Sequence, residues 1–445
     1  MSVYWCELAW LGDETGAVEH GAVLTIADDR IADVVSGVAS PPPGAAALAG
    51  LTVPGFANAH SHAFQRALRG RTHGEGGTFW TWRDRMYELA ARIEPDSYRM
   101  LARAVFAEMA LAGFTCIGEF HYLHNGGDGR PYGEPNEMAL AVRDAAADAG
   151  VRLTLLDTCY LNGGIGEPLD GAQLRFGDAD AAAWGQRAGS LADTSTVRIG
   201  AAVHSVRSVD PASIALVAGW ARDRGAPLHA HVSEQPAENE QCLEAYGCTP
   251  VELLATHGAL GERFTAVHAT HLTDRDVGML AGSAAACCLC PTTERDLADG
   301  IGPSTTLQAA AIPICLGTDS HAMIDPFAEA RAVELHERLA SLRRGAHHPG
   351  ELLRMATTAG YRSLGWPEGG RIEPGALADL TTVALDSPRL AGIEPDDAVA
   401  AIVFAASACD VRHVVVGGRV VVEDGAHRSI DVAGELTHSI REVWR

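Results

Sequence analysis

The sequence predicts an α/β fold, a (β/α)8 TIM-like barrel with a small β-sandwich domain formed by both termini. The chain has 445 residues, which is long enough for one large domain and a smaller one. Both ends show strand patterns, whereas the middle alternates eight strand-like runs with helix patterns. We therefore predict a split β domain at residues 1–54 and 375–445 and a barrel at residues 55–374. A doubly wound open sheet is the competing arrangement, because periodicity alone separates the two poorly.

The two ends of the chain share short apolar alternations that are typical of strands. These patterns lie at residues 22–25, 31–35, 379–384, 400–405, 414–416 and 420–422. The last two flank Gly417-Gly418, a pair of residues that favours a hairpin turn. Two strand-rich ends around a different middle indicate one small domain built from both.

The middle of the chain alternates strand-like and helix-like patterns. Its eight strand-like runs are residues 52–59, 115–120, 152–158, 198–203, 227–230, 264–267, 284–290 and 313–317. Helix patterns lie between them, and a clear one covers residues 210–224. Asp210 and Pro211 are typical N-cap and first-turn residues, and Gly225 followed by Pro227 predicts the end of this helix.

Composition excludes several classes of function. The formal net charge is −23, which argues against a nucleic-acid partner, because such binding depends on clustered positive charge. All 34 basic residues are arginine, so Schiff-base, phosphate-loop and carbamate-bridging lysines are excluded. Ten scattered cysteines favour a reducing, cytoplasmic location, and Cys287, Cys288 and Cys290 lack the second pair of a zinc ribbon. Prolines interrupt the long uncharged stretch 34–59, so we expect no membrane span.

Reactive side chains end most of the strand-like runs. They are His60 and His62 after the first run, His121 and Tyr122 after the second, His204 after the fourth, His231 after the fifth, His268 after the sixth and Asp319 after the eighth. A barrel carries its chemistry at the carboxyl ends of its strands, so these positions predict one shared site. A single histidine there is commonly structural, but six of eight runs follow the pattern.

A metal site is the first chemistry that these residues predict. His60 and His62 lie two residues apart, so both imidazoles point to the same side of a strand. With His231 and Asp319 they supply three nitrogens and one oxygen, a set suited to one Zn²⁺ or Fe²⁺. Such an ion lowers the pKa of its water toward about 7. The absence of lysine favours one metal over a carbamate-bridged pair.

Two further residues are candidates for proton transfer. Glu234 follows His231 by three residues, close enough to reach a metal-bound water. His268 is expected across the site, where it polarises water or stabilises a tetrahedral intermediate. The alternative for Glu234 is a solvent-facing loop carboxylate, and His271 is interpreted as structural.

Together these motifs resemble the amidohydrolase superfamily over almost the whole chain. Within it, PGFANAHSHAFQRALRG at 54–70, FWTWRDRMY at 79–87, GEFHYLH at 118–124, HSVRSV at 204–209 and HVSEQ at 231–235 are similar to the N-formimino-L-glutamate deiminases. The resemblance implies hydrolysis of formiminoglutamate to N-formylglutamate and ammonia, in histidine degradation, with one divalent metal. It implies His60, His62, His231 and Asp319 as metal ligands, and Glu234, His268 and Asp319 as catalytic residues.

The same resemblance implies substrate contacts from Gln65, Arg83, Tyr122, His204 and Arg207. A dicarboxylate substrate entering a protein of charge −23 needs local guanidinium groups, which Arg83 and Arg207 can supply. Arg85 is an alternative to Arg83, and for either loop arginine a surface ion pair is an equal possibility.

Three rival interpretations remain open from the sequence. One is an aromatic-base deaminase and another an imidazolonepropionase, both with the same metal core. The third is a barrel that kept its fold as a scaffold and lost its chemistry, since fold alone does not decide function. We also expect a homodimer, the common state of soluble enzymes, with no nucleic-acid or membrane partner.

Overall fold

Two eight-stranded sheets organise the chain, in a computed structural model that describes residues 1–13, 16–74 and 78–445. One sheet is parallel throughout. Its strands are β5 (Phe56–Ser61), β6 (Phe114–His121), β7 (Arg152–Cys159), β8 (Val197–Val203), β9 (Leu228–Val232), β10 (Phe264–His268), β11 (Ala286–Leu289) and β12 (Ile314–Leu316). A parallel bridge between Ser61 and Asp319 closes it, so the structure confirms a barrel and not an open sheet.

The second sheet is built from both ends of the chain, as predicted. Its strands are β1 (Ser2–Trp10), β2 (Val18–Ala27), β3 (Arg30–Val35), β4 (Ala46–Pro54), β13 (Leu380–Val383), β14 (Val411–Val416), β15 (Arg419–Glu423) and β16 (Ala426–His427). The strand order is β16-β15-β14-β13-β4-β1-β2-β3, so β4 pairs with β13 across the middle of the sheet. The predicted hairpin at Gly417-Gly418 joins β14 to β15. The proposed residue limits of the two domains stay a prediction.

Helices connect and cover the barrel strands. They are α1 (Phe79–Ala90), α2 (Pro95–Leu111), α3 (Glu137–Ala149), α4 (Ala181–Ala188), α5 (Pro211–Arg224), α6 (Pro236–Tyr246), α7 (Pro250–Thr256), α8 (Asp274–Gly282), α9 (Pro291–Asp296), α10 (Ser304–Ala309), α11 (Pro326–Ser341), α12 (Pro349–Arg354), α13 (Gly360–Ser363), α14 (Ala398–Ala405) and α15 (Val432–Val443). The predicted caps of α5 are confirmed, because Asp210 accepts from the amides of Ala212 and Ser213 and Gly225 adopts a left-handed φ of 61°.

Two predicted strands were wrong in detail. The run at 52–59 is two strands of different sheets, β4 and β5, separated at Gly55, where a Cβ would lie 2.1 Å from the side chain of Thr115. The run at 400–405 lies in a helix, α14. Its buried residues Ala398, Val399, Ile402 and Val403 recur with helical spacing, and α14 packs against α11 and α12. A short apolar run does not show whether its period is that of a strand or a helix, so tertiary packing decides which of the two forms.

No helix among the described residues is both long and apolar enough to span a bilayer. The uncharged stretch at 34–59, which prolines interrupt, holds parts of β3 and β5 with all of β4 between them. The predicted absence of a spanning helix in that stretch is therefore explained by its strands.

Candidate active site

A cavity of about 590 Å³ opens at the carboxyl ends of the barrel strands. Residues from the first six barrel strands and the eighth, or from the segments that follow them, line it. The predicted residues among its lining are His62, Gln65, Arg83, Tyr122, His204, Arg207, His231, Glu234, His268 and Asp319. The strand-end residues and those that the resemblance implied thus surround one space, because parallel strands in a barrel end at the same face.

The four predicted metal ligands converge beside this cavity. The carboxylate oxygen Oδ1 of Asp319 lies 3.1 Å from Nε2 of His60 and 3.3 Å from Nε2 of His62. Nε2 of His231 lies 3.1 Å from Nε2 of His60. All four residues are buried, and one ligand atom from each falls within a single cluster of 4.8 Å.

Backbone carbonyls fix two of these rings. Nδ1 of His62 donates to the carbonyl of Phe120 and Nδ1 of His231 to the carbonyl of His204, each at 2.9 Å. A ring that donates from Nδ1 presents the lone pair of Nε2 to the cluster. Burial lowers the pKa of His60 to about 3, so this imidazole is neutral and able to act as a ligand.

The donor set fits a divalent cation. With ligand bonds of about 2.0–2.1 Å, the ligand atoms of a tetrahedral Zn²⁺ site lie about 3.3 Å apart, close to the separations found here. Burial opposes charge on Asp319, but hydrogen bonds with His60 and His62 outweigh it and hold its pKa well below the usual range. One anionic oxygen among neutral nitrogens is the chemistry that Zn²⁺ and Fe²⁺ accept.

Glu234 and His268 form a pair on the cavity side of this cluster. Oε1 of Glu234 lies 3.7 Å from Nε2 of His268, and both side chains are buried. Burial favours the neutral form of His268, but the carboxylates of Glu234 and Glu294 outweigh it and raise its pKa to about 10. Burial also raises the pKa of Glu234. The solvent-facing alternative for Glu234 is therefore wrong, since the carboxylate is enclosed.

Backbone strain marks the same place. His268 has φ of 66°, Asp319 of 43° and Ser233 of 52°, all in the left-handed region that favours glycine. Such conformations cost on the order of 1–3 kcal/mol each and persist where surrounding structure enforces them. The strain places the reactive side chains of His268 and Asp319 at the turns that leave the barrel strands.

The comparisons with known proteins agree with this geometry. A model of the amidohydrolase family matches residues 51–421. The chain belongs to the amidohydrolase family. It is 36% identical to the formimidoylglutamate deiminase of Pseudomonas aeruginosa, over 88% of this chain and 91% of that protein.

Other relatives lie close as well. The chain is 30% identical to the 5-methylthioadenosine/S-adenosylhomocysteine deaminase of Natronomonas pharaonis, over 86% of this chain and 83% of that protein. The crystal structure of an amidohydrolase from Brucella melitensis superposes with a TM-score of 0.92 at 31% identity and covers 100% of both chains. The family supports a hydrolase that acts on C–N bonds at a divalent metal site, and it leaves the substrate open.

In this amidohydrolase, the five predicted substrate contacts all line the cavity. Nε2 of Gln65 donates to the hydroxyl of Tyr122 at 2.9 Å, and the buried Oε1 of Gln65 has no hydrogen-bond partner among the described residues. The ring of His204 packs edge-on against Tyr160, with centroids 4.4 Å apart. Their roles as substrate contacts stay a prediction, and the structure shows only that they surround one space.

Arg83 and Arg85, which the sequence analysis expected in a loop, both lie in helix α1 and differ in their surroundings. Arg83 lines the cavity and stacks on Trp80, with its guanidinium carbon 4.5 Å from the ring centre. Arg85 is exposed and pairs with Glu88 at 2.8 Å, on the same helix α1. Arg83 is therefore the one placed to meet a ligand, whereas the surface ion pair considered for both describes Arg85.

Sequence reasoning missed two buried carboxylates. Oε1 of Glu294 lies 3.4 Å from Nδ1 of His268 and accepts from the amide of Cys290 at 2.8 Å. Oε2 of Glu238 lies 3.9 Å from Nε of Arg207. The spacing of Glu238, four residues after Glu234, was the available signal, because such residues share a face where a helix begins.

The remaining histidine and cysteine motifs lie outside the cavity. His121 stacks on Tyr98 and His271 bonds the backbone of Asp299 at 2.7 Å, which confirms the structural interpretation of His271. Cys287 and Cys288 are buried free thiols of β11. Cys290, together with His268 and Glu294, forms a second group of possible ligand atoms in the described chain.

Proposed function

We propose that this amidohydrolase hydrolyses N-formimino-L-glutamate to N-formyl-L-glutamate and ammonia, as in histidine degradation. One observation carries the proposal: two arginines, Arg83 and Arg207, line the cavity that holds the metal-ligand cluster. In a chain of charge −23, guanidinium groups in an enclosed cavity favour an anionic substrate over a neutral base. The similarity to the deiminase of Pseudomonas aeruginosa supports the same choice.

The metal cluster would supply the nucleophile. His60, His62, His231 and Asp319 would hold a divalent ion, which would lower the pKa of water toward about 7 and so supply a nucleophile at neutral pH. We infer one ion, Zn²⁺ or Fe²⁺, because one set of three imidazoles and a carboxylate serves a single centre.

Glu234 and His268 would then move and hold protons. An Oε atom of Glu234 takes the proton of the attacking water and passes it to the amidine nitrogen, which leaves as ammonia. Nε2 of His268, whose carboxylate neighbours Glu234 and Glu294 favour its protonated form, can donate a hydrogen bond to the oxygen of that water as it loses its proton and gains negative charge. Water adds across the C=N bond and the C–NH₂ bond breaks, so the products are the N-formyl amide and ammonia.

Arginines and polar residues around the cavity would orient the glutamate moiety. Arg207 and Arg83 pair with its two carboxylates, while Tyr122 and Gln65 offer a hydroxyl and an amide that fix the chain between them. Fixing both ends holds the amidine carbon against the proton-transfer pair, which lowers the entropy cost of reaction.

The test is ammonia release by zinc-loaded protein from N-formimino-L-glutamate, beside N-formimino-L-aspartate, adenosine, guanine and cytosine. Release from the glutamate compound alone, lost in Glu234→Gln, is the expected result. A second candidate is deamination of an adenosine-type base, which the similarity to the Natronomonas deaminase favours. Turnover of a neutral base with none of the amidine would replace our proposal with that candidate.

Arg207→Met separates the two candidates. The variant should raise KM for formiminoglutamate strongly, because it removes the cation that pairs with a carboxylate, and should affect a neutral base little. An equal effect on both substrates would contradict the proposed role of the arginine in choosing a carboxylate.

A further inference from the structure

We propose that Glu238 is a positioning residue that aims the guanidinium of Arg207 at the substrate carboxylate, an inference that rests on the proposed function. Glu238 lies in the first turn of α6, four residues after Glu234, which precedes the N-cap of that helix. A short stretch of backbone therefore connects Glu234, the proposed proton-transfer group, to Glu238, which lies beside Arg207.

The burial of Glu238 is the first observation. Its side chain is 2% exposed, and burial raises its pKa, while the charge of Arg207 and hydrogen bonds from the backbone of Ser233 and Glu234 oppose that shift. A buried carboxylate is unfavourable unless hydrogen bonds and a nearby opposite charge offset its loss of solvation. Arg207, at 3.9 Å, is the ion-pair partner of Glu238 in the described part of the chain.

The geometry of the pair is the second observation. The close approach is between Oε2 of Glu238 and Nε of Arg207, and 3.9 Å is too long for a hydrogen bond. Nε is buried and makes no hydrogen bond within the described residues. The carboxylate thus faces the Nε edge of the guanidinium and does not bind its two terminal nitrogens.

The terminal nitrogens of Arg207 are left for another acceptor. No hydrogen bond or ion pair from either joins a described residue, and Arg207 lines the cavity. Two parallel N–H donors at one edge of a guanidinium match a carboxylate in a bidentate pair. Glu238 therefore orients Arg207 from behind, while the open edge suits a substrate carboxylate.

Position and charge predict opposite effects when Glu238 is changed. If the carboxylate only neutralised Arg207, its removal would free positive charge and tighten the binding of an anion. If it orients the guanidinium, its removal lets Arg207 turn toward other acids, and Glu234 is one whose charge already acts on it. We infer that orientation dominates, because a bidentate pair depends on the angle of the planar group.

The test is a double-mutant cycle with Glu238→Gln and Arg207→Met, assayed with formiminoglutamate. Glu238→Gln should raise KM about 10-fold with a smaller change in kcat, and in the Arg207→Met background it should add almost nothing. Glu238→Asp, which keeps the charge, should fall between wild type and Gln. Glu240→Gln, an exposed acid of the same helix outside the cavity, is the matched control and should match wild type.

Binding gives a readout that does not depend on turnover. Calorimetry should show weaker binding of N-formyl-L-glutamate to Glu238→Gln than to wild type, with no such difference for its diamide. Tighter binding of the acid, additive KM effects in the cycle, or a loss confined to kcat would each overturn the positioning role.

The two proposals fail in different ways. If wild-type protein neither turns over formiminoglutamate nor binds the product acid, the proposed function is wrong. If wild type does both and Glu238→Gln behaves like Glu240→Gln, the function stands and the inference about Glu238 is wrong. Thermal melting of each variant confirms that the compared proteins are folded.

Discussion

Two buried polar clusters of this molecule differ in how completely they are bonded. The first joins the barrel to the terminal sheet, where Arg152 of β7 is 1% exposed and donates from Nε to Asp379 at 2.8 Å. The hydroxyl of Tyr361 and the amide of Gly417 also donate to Asp379, each at 2.7 Å. Every carboxylate oxygen of Asp379 has a partner, as is usual for buried polar groups.

The second cluster surrounds the cavity and is incompletely bonded. Several of its buried side-chain atoms have no hydrogen-bond partner within the described chain. Among the residues that line the cavity, they are Oε1 of Gln65, Nε of Arg83 and Nε of Arg207.

We interpret the difference as one of role: the Asp379 cluster stabilises the fold, whereas the cavity cluster retains capacity to bind a ligand. Unbonded buried groups cost free energy in the resting protein, and those beside the cavity are placed to bond a polar substrate. A saturated cluster has no capacity left for a ligand. The following predictions test this contrast, from the largest expected effect to the smallest.

Glu234→Gln should lower kcat for the hydrolysed substrate by about 10²- to 10⁴-fold, the usual contribution of a positioned acid–base group. The free energy of unfolding should stay the same or rise, because the change removes a buried carboxylate that His268 only partly compensates. Steady-state kinetics and urea unfolding measure the two quantities. Unchanged kcat would remove Glu234 from the mechanism.

Asp379→Asn should show the reverse behaviour. It leaves the buried Arg152 without its counter-charge, which typically lowers the free energy of unfolding by roughly 3–5 kcal/mol. Molecules that remain folded should keep normal kcat, because Asp379 does not line the cavity. Denaturant titration measures the free energy of unfolding, and active-site titration gives kcat per folded molecule. A selective loss of kcat would show that the two clusters are not independent.

Glu119→Gln should weaken metal binding without abolishing it. Glu119 accepts from the amide of Ala63 at 2.7 Å and from the hydroxyl of Ser61 at 2.9 Å, and so supports the segment that carries His60 and His62. Removal of supports behind metal ligands commonly costs about 10- to 100-fold in affinity. Competition with a chromophoric chelator measures it, and wild-type affinity would contradict the supporting role.

Arg83→Met and Arg85→Met form a matched pair on α1. Arg83→Met should raise KM about 10-fold, because it removes a hydrogen-bond donor of a charged group beside the cavity. Arg85, exposed and paired with Glu88, should change neither KM nor stability measurably. Parallel kinetics decide between them, and a KM effect at Arg85 alone would reverse our assignment.

Much of the site could be predicted because its signals are local in the chain. His60 and His62 share a side through the two-residue period of a strand, and His204, His231, His268 and Asp319 end strand-like runs. The caps of α5 at Asp210 and Gly225 are equally local. Within parallel strands that close into a barrel, local position along each strand is enough to predict a shared face.

Sequence alone thus determined the alternation of strands and helices, the resemblance to the family and the candidate metal ligands, because period, spacing and motif are properties of neighbouring residues. Tertiary structure decided whether residues 400–405 form strand or helix, which of Arg83 and Arg85 faces the cavity, and that Glu238 stands behind Arg207. Each of these depends on burial and on charges from distant segments, whose energies exist only once the segments are packed together.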